Sequence, residues 1–156
     1  MFGGVGGFAV QLAKYIGAGV IATTSKANAD FVRDLGADNV IDYKAQDFST
    51  ILNDVNVVLD TIGGETQAKS YRVMKPGGML VTTATFPDAE LAKVHGVSSA
   101  WMLHLSDATR LGLIGGLWDS GPFKVSVDST FPIDQFMAAL QRSATGHARG
   151  KIILTL

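Results

Sequence analysis

Short apolar segments rich in β-branched residues alternate along this chain with segments that have helical spacing. Each apolar segment is five to eight residues long and is bounded by glycine or polar residues, which is typical of buried β-strands. The pattern predicts strands at 19–24, 39–43, 55–61, 78–84 and 96–103. A looser section follows, with predicted helices near 106–119 and at 134–144 and predicted strands at 123–130 and 151–156.

The segments between the first five strands have the apolar spacing of amphipathic helices. Phe8, Leu12 and Ile16 recur every four residues, so they share one helix face. The next helical segment reaches Gly36, a residue typical of helix C-caps. The segment 65–75 is followed by Pro-Gly-Gly, which ends a helix before the next strand. Strands that alternate with helices predict an α/β fold, in which helices cover both faces of a doubly wound parallel sheet.

Composition and charge narrow the class of protein. The chain has 156 residues, of which 47% are apolar, and this is enough for one domain with a sizeable core. A net charge of −1 argues against a surface that binds nucleic acid or an anionic membrane. The chain has no cysteine, no apolar run of 18 residues and no basic-then-apolar leader, so we expect a cytoplasmic location.

A glycine cluster opens the chain. Gly3, Gly4 and Gly6 precede an apolar helix that we expect to begin near Gly6 or Gly7. Free N–H groups and the positive end of the helix dipole face such a turn. The turn around Val5 is therefore a candidate cradle for the pyrophosphate of a dinucleotide. Because glycine turns between strands and helices are common, a tight packing turn is the alternative.

The end of strand 19–24 bears on which dinucleotide would bind. Proteins that prefer NAD usually carry Asp or Glu about 20 residues past the glycines, where it accepts bonds from the ribose 2′-hydroxyl. The first acid here is Asp30, inside the following helix. The strand end carries polar and cationic side chains instead: Thr24, Ser25, Lys26 and Asn28. Tyr43 ends the next strand. These groups suit the 2′-phosphate of NADP, with a solvated loop lysine as the alternative for Lys26.

Two further strand ends are candidate ligand contacts, because ligands of a doubly wound sheet bind outside the carboxyl ends of its strands. Asp60, Thr61 and Gly63 are expected to line the adenosine or its ribose. The residues expected to reach the nicotinamide ribose are Thr83, Ala84 and Thr85. Ordinary strand-end turns are the alternative for each of them.

Three other features support weaker hypotheses. Tyr71 and Lys75 form a Tyr-x-x-x-Lys pattern, which transfers protons in some dehydrogenases, but we favour a surface pair at a helix end. The segment 146–151 brings three basic residues together, and both a solvated turn and a contact with cofactor phosphates stay open. No metal site is predicted, because the histidines lack ligand spacing: His95, His104 and His147.

Five blocks of sequence, in order, resemble one family. They are GGVGGFAVQLAKYIGAGVIATTS, FVRDLGADNVIDY, DVNVVLDTIGGET, VMKPGGMLVT and GHARGKIIL. Together they are similar to the zinc-independent, quinone-oxidoreductase-like medium-chain dehydrogenase/reductases. The family fingerprint Ala-x-x-Gly-x-x-Gly places its glycines on Gly3 and Gly6, and its alanine would precede Met1. The place of the family's phosphate-binding lysine falls on Asn28, with Lys26 two residues earlier.

The resemblance implies a Rossmann-like NAD(P)-binding domain whose first strand and N-terminal catalytic domain are missing from this chain. It implies that residues 1–121 bind the dinucleotide and that residues 122–156 fold onto the catalytic domain. The implied reaction is hydride transfer from NADPH to a quinone, an enone, or an aldehyde or ketone. Its catalytic residues would belong to the missing domain, so none is assigned here. The resemblance also implies a homodimer joined through strand 96–103.

Two other classes of function stay open. One is a non-catalytic NADP-binding or partner-binding module, left after loss of the catalytic half. The other is an AdoMet-dependent methyltransferase, whose sheet also has an early glycine turn. That fold usually places an acid at the end of its second strand, and ATTSK at 22–26 has none. The sequence therefore favours the NADPH-dependent oxidoreductase, acting on a small-molecule substrate.

Overall fold

The computed structural model describes residues 4–103, 107–121 and 123–156, apart from the side chain of Ser120. The chain forms two compact units: a first unit, Met1–Lys44 with Asp107–Leu156, and a second unit, Ala45–Ser106. The described helices and strands, in chain order, are α1 (Gly4–Tyr15), β1 (Ile21–Thr24), α2 (Ala29–Asp34), β2 (Asn39–Asp42), β3 (Val55–Asp60), α3 (Gly64–Val73), β4 (Met74–Thr82), α4 (Ala89–Val94), β5 (Ser98–Trp101), α5 (Ala108–Ser120), β6 (Val127–Pro132), α6 (Phe136–Ala144) and β7 (Lys151–Thr155). Within these ranges, no helix has the length and apolarity that crossing a membrane requires.

The N-terminal half of the first unit is a small parallel sheet with α1 and α2 packed against it. β1 and β2 run in register, from Ile21 opposite Asn39 to Thr24 opposite Asp42. Among the described strands, β2 is the one that hydrogen-bonds to β1. Apolar side chains from the helices and strands form the core: Val10, Val20, Ala22, Val32, Leu35 and Ala37.

Gly36 ends the second helical segment, as the sequence predicts. Its φ is +108°, a conformation that favours glycine. Its N–H donates to Arg33 O at 2.8 Å, and the next N–H donates to Val32 O at 3.3 Å, so the last carbonyls of the helix are satisfied. The helix itself is shorter than expected, because Lys26–Asn28 forms a separate 3₁₀ turn before α2.

The C-terminal half of the first unit contains a second two-stranded sheet. β6 and β7 pair with each other in parallel, and α6 connects them. Strand β6 begins at Val127, later than the predicted start at residue 123. The aromatic rings of Phe8 on α1 and Trp118 on α5 meet edge to face, with centroids 6.4 Å apart.

The second unit is a parallel sheet in the order β3-β4-β5, which makes β5 an outer strand, as predicted. α3 and α4 cover one face, with the core residues Tyr71, Met74, Leu80, Ala92 and Val97. On the opposite face Val57, Leu59 and Met79 are exposed. The sequence predicts helices on both faces of the sheet, and within this unit the described helices cover one face.

Strand β4 begins earlier than the sequence predicts. Met74 already pairs with Val55, and regular pairing resumes at Met79. Gly77 lies between these positions with a φ of +79°, and its N–H donates to Gly96 O at 2.7 Å. The Pro-Gly-Gly segment is therefore an irregularity inside the strand and not a turn before it.

Two more features of the second unit differ from expectation. The sequence pattern did not predict α4, a short helix that Asp88 caps by accepting a bond from Leu91 N at 2.9 Å.

Tyr71 is fully buried, and its hydroxyl has no hydrogen-bond partner among the described residues. The favoured surface pair with Lys75 is therefore wrong, and burial also keeps Tyr71 from exchanging protons with a ligand at the surface.

Candidate anion-binding site

The first turn of α1 borders a cleft in the first unit. The sequence predicts a turn around Val5 before the helix. Helix α1 instead begins at Gly4, so Val5 and Gly6 lie inside the helix. The first N–H groups of a helix have no partner within the helix and serve as outward donors. Side chains from far along the chain also line the cleft: Lys124, Arg149 and Lys151.

Lys151, the first residue of β7, lies beside this helix end. A β-carbon built on Gly4 would stand 2.9 Å from Lys151 Nζ, so the absence of a side chain at Gly4 lets the ammonium approach the helix backbone. The ammonium also lies 5.9 Å from the centre of the Phe8 ring, within cation–π range. A positive side chain thus adjoins the positive end of the helix dipole, an arrangement that an anion would stabilise.

Arg149 places a second cation near the same cleft. Its Nη2 donates to Ala27 O at 3.0 Å, so its guanidinium lies against the 3₁₀ turn that carries Lys26. Ser25 precedes this turn and Asn28 ends it, and neither side chain caps a helix. The basic segment 146–151 therefore does more than form a solvated turn, since it brings an arginine to the candidate 2′-phosphate residues.

Asp128 holds the backbone of Arg149 in place. Its carboxylate accepts bonds from Arg142 Nε at 2.8 Å, from Arg142 Nη2 at 2.6 Å and from Arg149 N at 2.9 Å. The side chain of Asp128 is 6% exposed. The Arg142 guanidinium, helped by the Arg149 N–H, keeps the pKa of Asp128 well below its usual range.

Gln11 connects α1 to the segment that precedes β6. Its Nε2 lies 3.2 Å from Gly7 O and 3.1 Å from Lys124 O, and its Oε1 accepts from Lys124 N at 2.6 Å. Each polar atom of the amide therefore has a partner, and Lys124 is held at the rim of the cleft. Sequence analysis missed Gln11, because a glutamine inside an apolar helix carries no sign of a partner 113 residues away.

The other predicted residues of the first unit occupy the ends of β1 and β2. Thr24 is 2% exposed, so its hydroxyl lies in the interior, and its carbonyl accepts from Tyr43 N at 3.1 Å. The side chains of Lys26 and Tyr43 are exposed, and those of Ser25 and Asn28 are half-buried. Gly3 lies outside the described residues.

The predicted residues of the second unit lie in two adjacent strand-end segments. Gly63 is buried with a φ of +79°, and a β-carbon there would stand 2.8 Å from Thr85 Oγ1. Thr61 and Thr83 are half-buried, whereas Ala84 and Thr85 are exposed. The structure therefore brings together the segments that follow β3 and β4, as the fold class requires.

Asp60 is not available to a ligand, although the sequence suggested that it lines the ribose. It is 3% exposed. Its carboxylate accepts bonds from the backbone of Ile62 and Gly63, at 3.0 and 2.9 Å, and from Gln67 Nε2 and Thr82 Oγ1, each at 3.1 Å. A buried carboxylate with four donors is a structural acceptor and offers nothing to ribose hydroxyls.

No metal centre stands out in the part of the chain that the structure describes, where no three His, Cys, Asp or Glu side chains are grouped as a metal would need. His147 lies in the turn after α6, and its N–H donates to Thr145 Oγ1 at 3.2 Å. His104 lies outside the described residues.

Parallel strands joined by helices define a Rossmann-like α/β fold, and the glycine-rich end of α1 beside two cations is its candidate anion site. The chain belongs to the zinc-binding dehydrogenase family, whose model matches residues 35–154. This confirms the family predicted from the five sequence blocks.

Known proteins agree with this assignment. A protein of Danio rerio, "NAD(P)H oxidoreductase RTN4IP1, mitochondrial", is 31% identical over 181 residues, which cover 99% of this chain and 47% of that protein. The "Chloroplast envelope quinone oxidoreductase homolog" of Arabidopsis thaliana is 31% identical over 164 residues, covering 97% of this chain and 49% of that protein.

A solved structure shares the fold. The quinone oxidoreductase of Coxiella burnetii superposes with a TM-score of 0.90 at 30% identity, over 99% of this chain and 50% of that one. This similarity confirms the predicted Rossmann-like α/β fold. The chain spans about half the length of the curated relatives it matches.

Proposed function

We propose that this chain is the NADPH-binding portion of an oxidoreductase. The observation that carries the proposal is the approach of Lys151 to the glycine end of α1, where the side-chain ammonium and the helix N–H groups converge. A dinucleotide pyrophosphate has the charge and the acceptor oxygens for this site. The zebrafish relative is named as an NAD(P)H oxidoreductase, which supports a nicotinamide cofactor.

The proposed contacts follow from the placement of the residues. The first turn of α1, with Gly4, Val5 and Gly6, and the ammonium of Lys151 would hold the pyrophosphate. Gly3, of the same glycine cluster in the sequence, is proposed as a further contact. In the second unit, Thr61 and Gly63 would lie along the adenosine ribose. The residues proposed for the nicotinamide ribose are Thr83, Ala84 and Thr85.

A preference for NADPH over NADH is the finer part of the proposal. The first acid after β1 is Asp30, inside α2, and the turn directly after the strand carries Ser25, Lys26 and Asn28 instead of an acid that would bind ribose hydroxyls. The Arg149 guanidinium is held against the backbone of this turn, and a guanidinium is a strong ligand for phosphate. The exposed side chain of Tyr43 would border the same group, whereas the buried Thr24 would support the turn from the interior.

The proposed reaction is the transfer of a hydride from NADPH to a quinone, an enone, or an aldehyde or ketone. The cofactor supplies the hydride, and this chain's residues bind and orient the cofactor. The Arabidopsis relative is named as a quinone oxidoreductase homolog, which supports this class of substrate. We assign no catalytic residue and propose zinc-independent chemistry. We further propose that residues 122–156 are the segment that would fold onto a catalytic domain of the kind this family carries.

We also propose a homodimer joined through strand 96–103. Strand β5 is an outer strand, so one row of its backbone groups is free to pair with another strand. Phe86 and Trp101 stack beside it, with centroids 4.4 Å apart, and both are exposed. Trp101→Lys would place charge at this edge and weaken the dimer, as measured by light scattering. An unchanged mass would contradict this interface.

A cytoplasmic location also stays a proposal. It rests on the sequence, which has no cysteine. The zebrafish and Arabidopsis relatives are named as mitochondrial and chloroplast proteins. Cell fractionation with an antibody to this chain decides among the compartments.

Calorimetric titration with NADPH and NADH tests the cofactor assignment. We expect tighter binding of NADPH, and a loss of about tenfold in its affinity for Arg149→Ala or Lys26→Ala, because each removes a charged contact. Arg33→Ala is the matched control, since Arg33 is an exposed arginine of the same unit that pairs with Asp30. Equal affinities for the two cofactors, unchanged in the variants, would refute the preference for NADPH. Binding of neither would refute the proposed function for this chain.

A further inference from the structure

A single buried carboxylate joins the two strand-end segments of the second unit. Asp60, at the end of β3, accepts bonds from the N–H groups of Ile62 and Gly63 and so shapes the segment that leads into α3. The same carboxylate is 3.1 Å from Thr82 Oγ1, at the end of β4. Because Asp60 is 3% exposed, its carboxylate interacts with these protein donors and is shielded from solvent.

Thr82 and Gln67 extend this network into segment 83–85. Thr82 Oγ1 accepts from Ala84 N at 3.2 Å and lies 3.2 Å from Thr85 O. Gln67 Nε2 lies 3.1 Å from Asp60 Oδ2 and 3.2 Å from Thr85 Oγ1. Both segments therefore depend on acceptors and donors that Asp60 orients, and the side chain of Thr85 packs where a β-carbon on Gly63 would stand.

We propose that Asp60 is a positioning residue: through Thr82 and Gln67 it holds segment 83–85 in the arrangement that receives the ribose of the nicotinamide half of the cofactor. This inference rests on the proposed function. The role needs a carboxylate, because four donors point at Asp60, whereas an amide presents one acceptor oxygen and two N–H donors. With asparagine at position 60, Oδ1 still accepts from the N–H groups of Ile62 and Gly63, but the amide nitrogen in place of Oδ2 would face the Gln67 Nε2 donor and would turn the Thr82 hydroxyl into an acceptor, so segment 83–85 would shift.

The test compares Asp60→Asn with wild type in two calorimetric titrations. We expect Asp60→Asn to lower the affinity for NADPH about tenfold, the effect of one or two lost buried hydrogen bonds. Adenosine 2′,5′-bisphosphate lacks the nicotinamide half, and asparagine keeps the Oδ1 acceptor that shapes segment 61–64, so we expect its affinity to change by less than about twofold. A variant that is merely less stable would weaken both ligands in parallel.

Asp88→Asn is the matched control, because Asp88 also accepts a backbone bond in the second unit, but at the exposed N-cap of α4. We expect it to bind both ligands as wild type does. Thr82→Val provides a second route if Asp60→Asn fails to fold, since it removes the hydroxyl that joins Asp60 to segment 83–85 and keeps the side-chain shape. The same selective loss of NADPH affinity is expected.

Hydrogen exchange separates failure of this inference from failure of the proposed function. We expect the amide of Ala84 to exchange faster in Asp60→Asn, while those of β1 and α2 keep their rates. Unchanged exchange at this amide, or NADPH affinity equal to that of wild type, would overturn the positioning role. If wild-type protein binds neither ligand, the result refutes both the proposed function and the cofactor role of Asp60.

Discussion

Replacing Gly63 by alanine is expected to destabilise the second unit for two separable reasons. The first is backbone strain, since Gly63 has φ +79° and ψ −169°, a region that only glycine adopts readily. The second is overlap, because the new methyl group would stand 2.8 Å from Thr85 Oγ1, 2.9 Å from Thr85 Cγ2 and 3.3 Å from Ala84 Cβ.

Magnitudes follow from these two causes. Holding a residue with a side chain in this backbone region costs about 1–3 kcal/mol. Forcing the neighbouring Thr85 and Ala84 to move costs about 1–3 kcal/mol more, as in an overpacked site. The expected loss of unfolding free energy for Gly63→Ala is therefore about 2–6 kcal/mol, a large part of the stability of a small domain.

Gly64→Ala isolates the strain from the overlap. Gly64 also has a positive φ, of +58°, but a β-carbon there meets nothing within 4 Å. We expect this variant to lose about 1–2 kcal/mol, the cost of a left-handed residue with a side chain. Urea denaturation, followed by circular dichroism, measures both variants. Equal losses for the two would refute the argument that Thr85 and Ala84 crowd position 63.

Three other predictions concern burial, pH and the cleft. Tyr71→Phe should raise the unfolding free energy by about 1 kcal/mol in urea denaturation, because the buried hydroxyl has no partner among the described residues, and a loss would contradict this. The pKa of Asp128 lies below its ordinary 3.8, so its contribution to stability is present above about pH 4 and is lost as the pH falls further. Acid titrations of the unfolding free energy should show this loss in wild type and a flatter profile in Asp128→Asn. Gly4→Ala should displace the flexible end of Lys151 and weaken NADPH binding in calorimetry, with the melting temperature unchanged; a change in melting temperature alone would contradict the phosphate role.

Local patterns were enough to predict most elements of the fold. Regular apolar spacing predicted α1, and glycine chemistry predicted the end of the segment at Gly36. The order of alternating strands predicted that β5 lies at the edge of its sheet. Boundaries were less accurate where pairing decides them. The start of β4 depends on Val55, a partner on another strand that propensity at the Pro-Gly-Gly segment does not reveal.

The candidate site was harder to predict, because its cations come from the other end of the chain. Arg149 reaches the carbonyl of Ala27 across 122 residues, and Lys151 reaches the glycine helix across a similar separation. Neither contact leaves a local periodicity. The basic segment 146–151 was the available signal, and a turn exposed to solvent explained it equally well. Burial of Asp60 was hidden for the same reason, since two of its donors come from Gln67 and Thr82.

The measurement that tests the central claim most directly is hydrogen exchange of this chain with and without saturating NADPH. If the glycine end of α1 holds the pyrophosphate, the amides of residues 4–8 should exchange more slowly in the presence of NADPH. The amides of residues 25–28 should be protected as well, and Lys151→Ala should reduce both effects. NADPH that leaves these amides unprotected, or that protects other segments alone, would contradict the account.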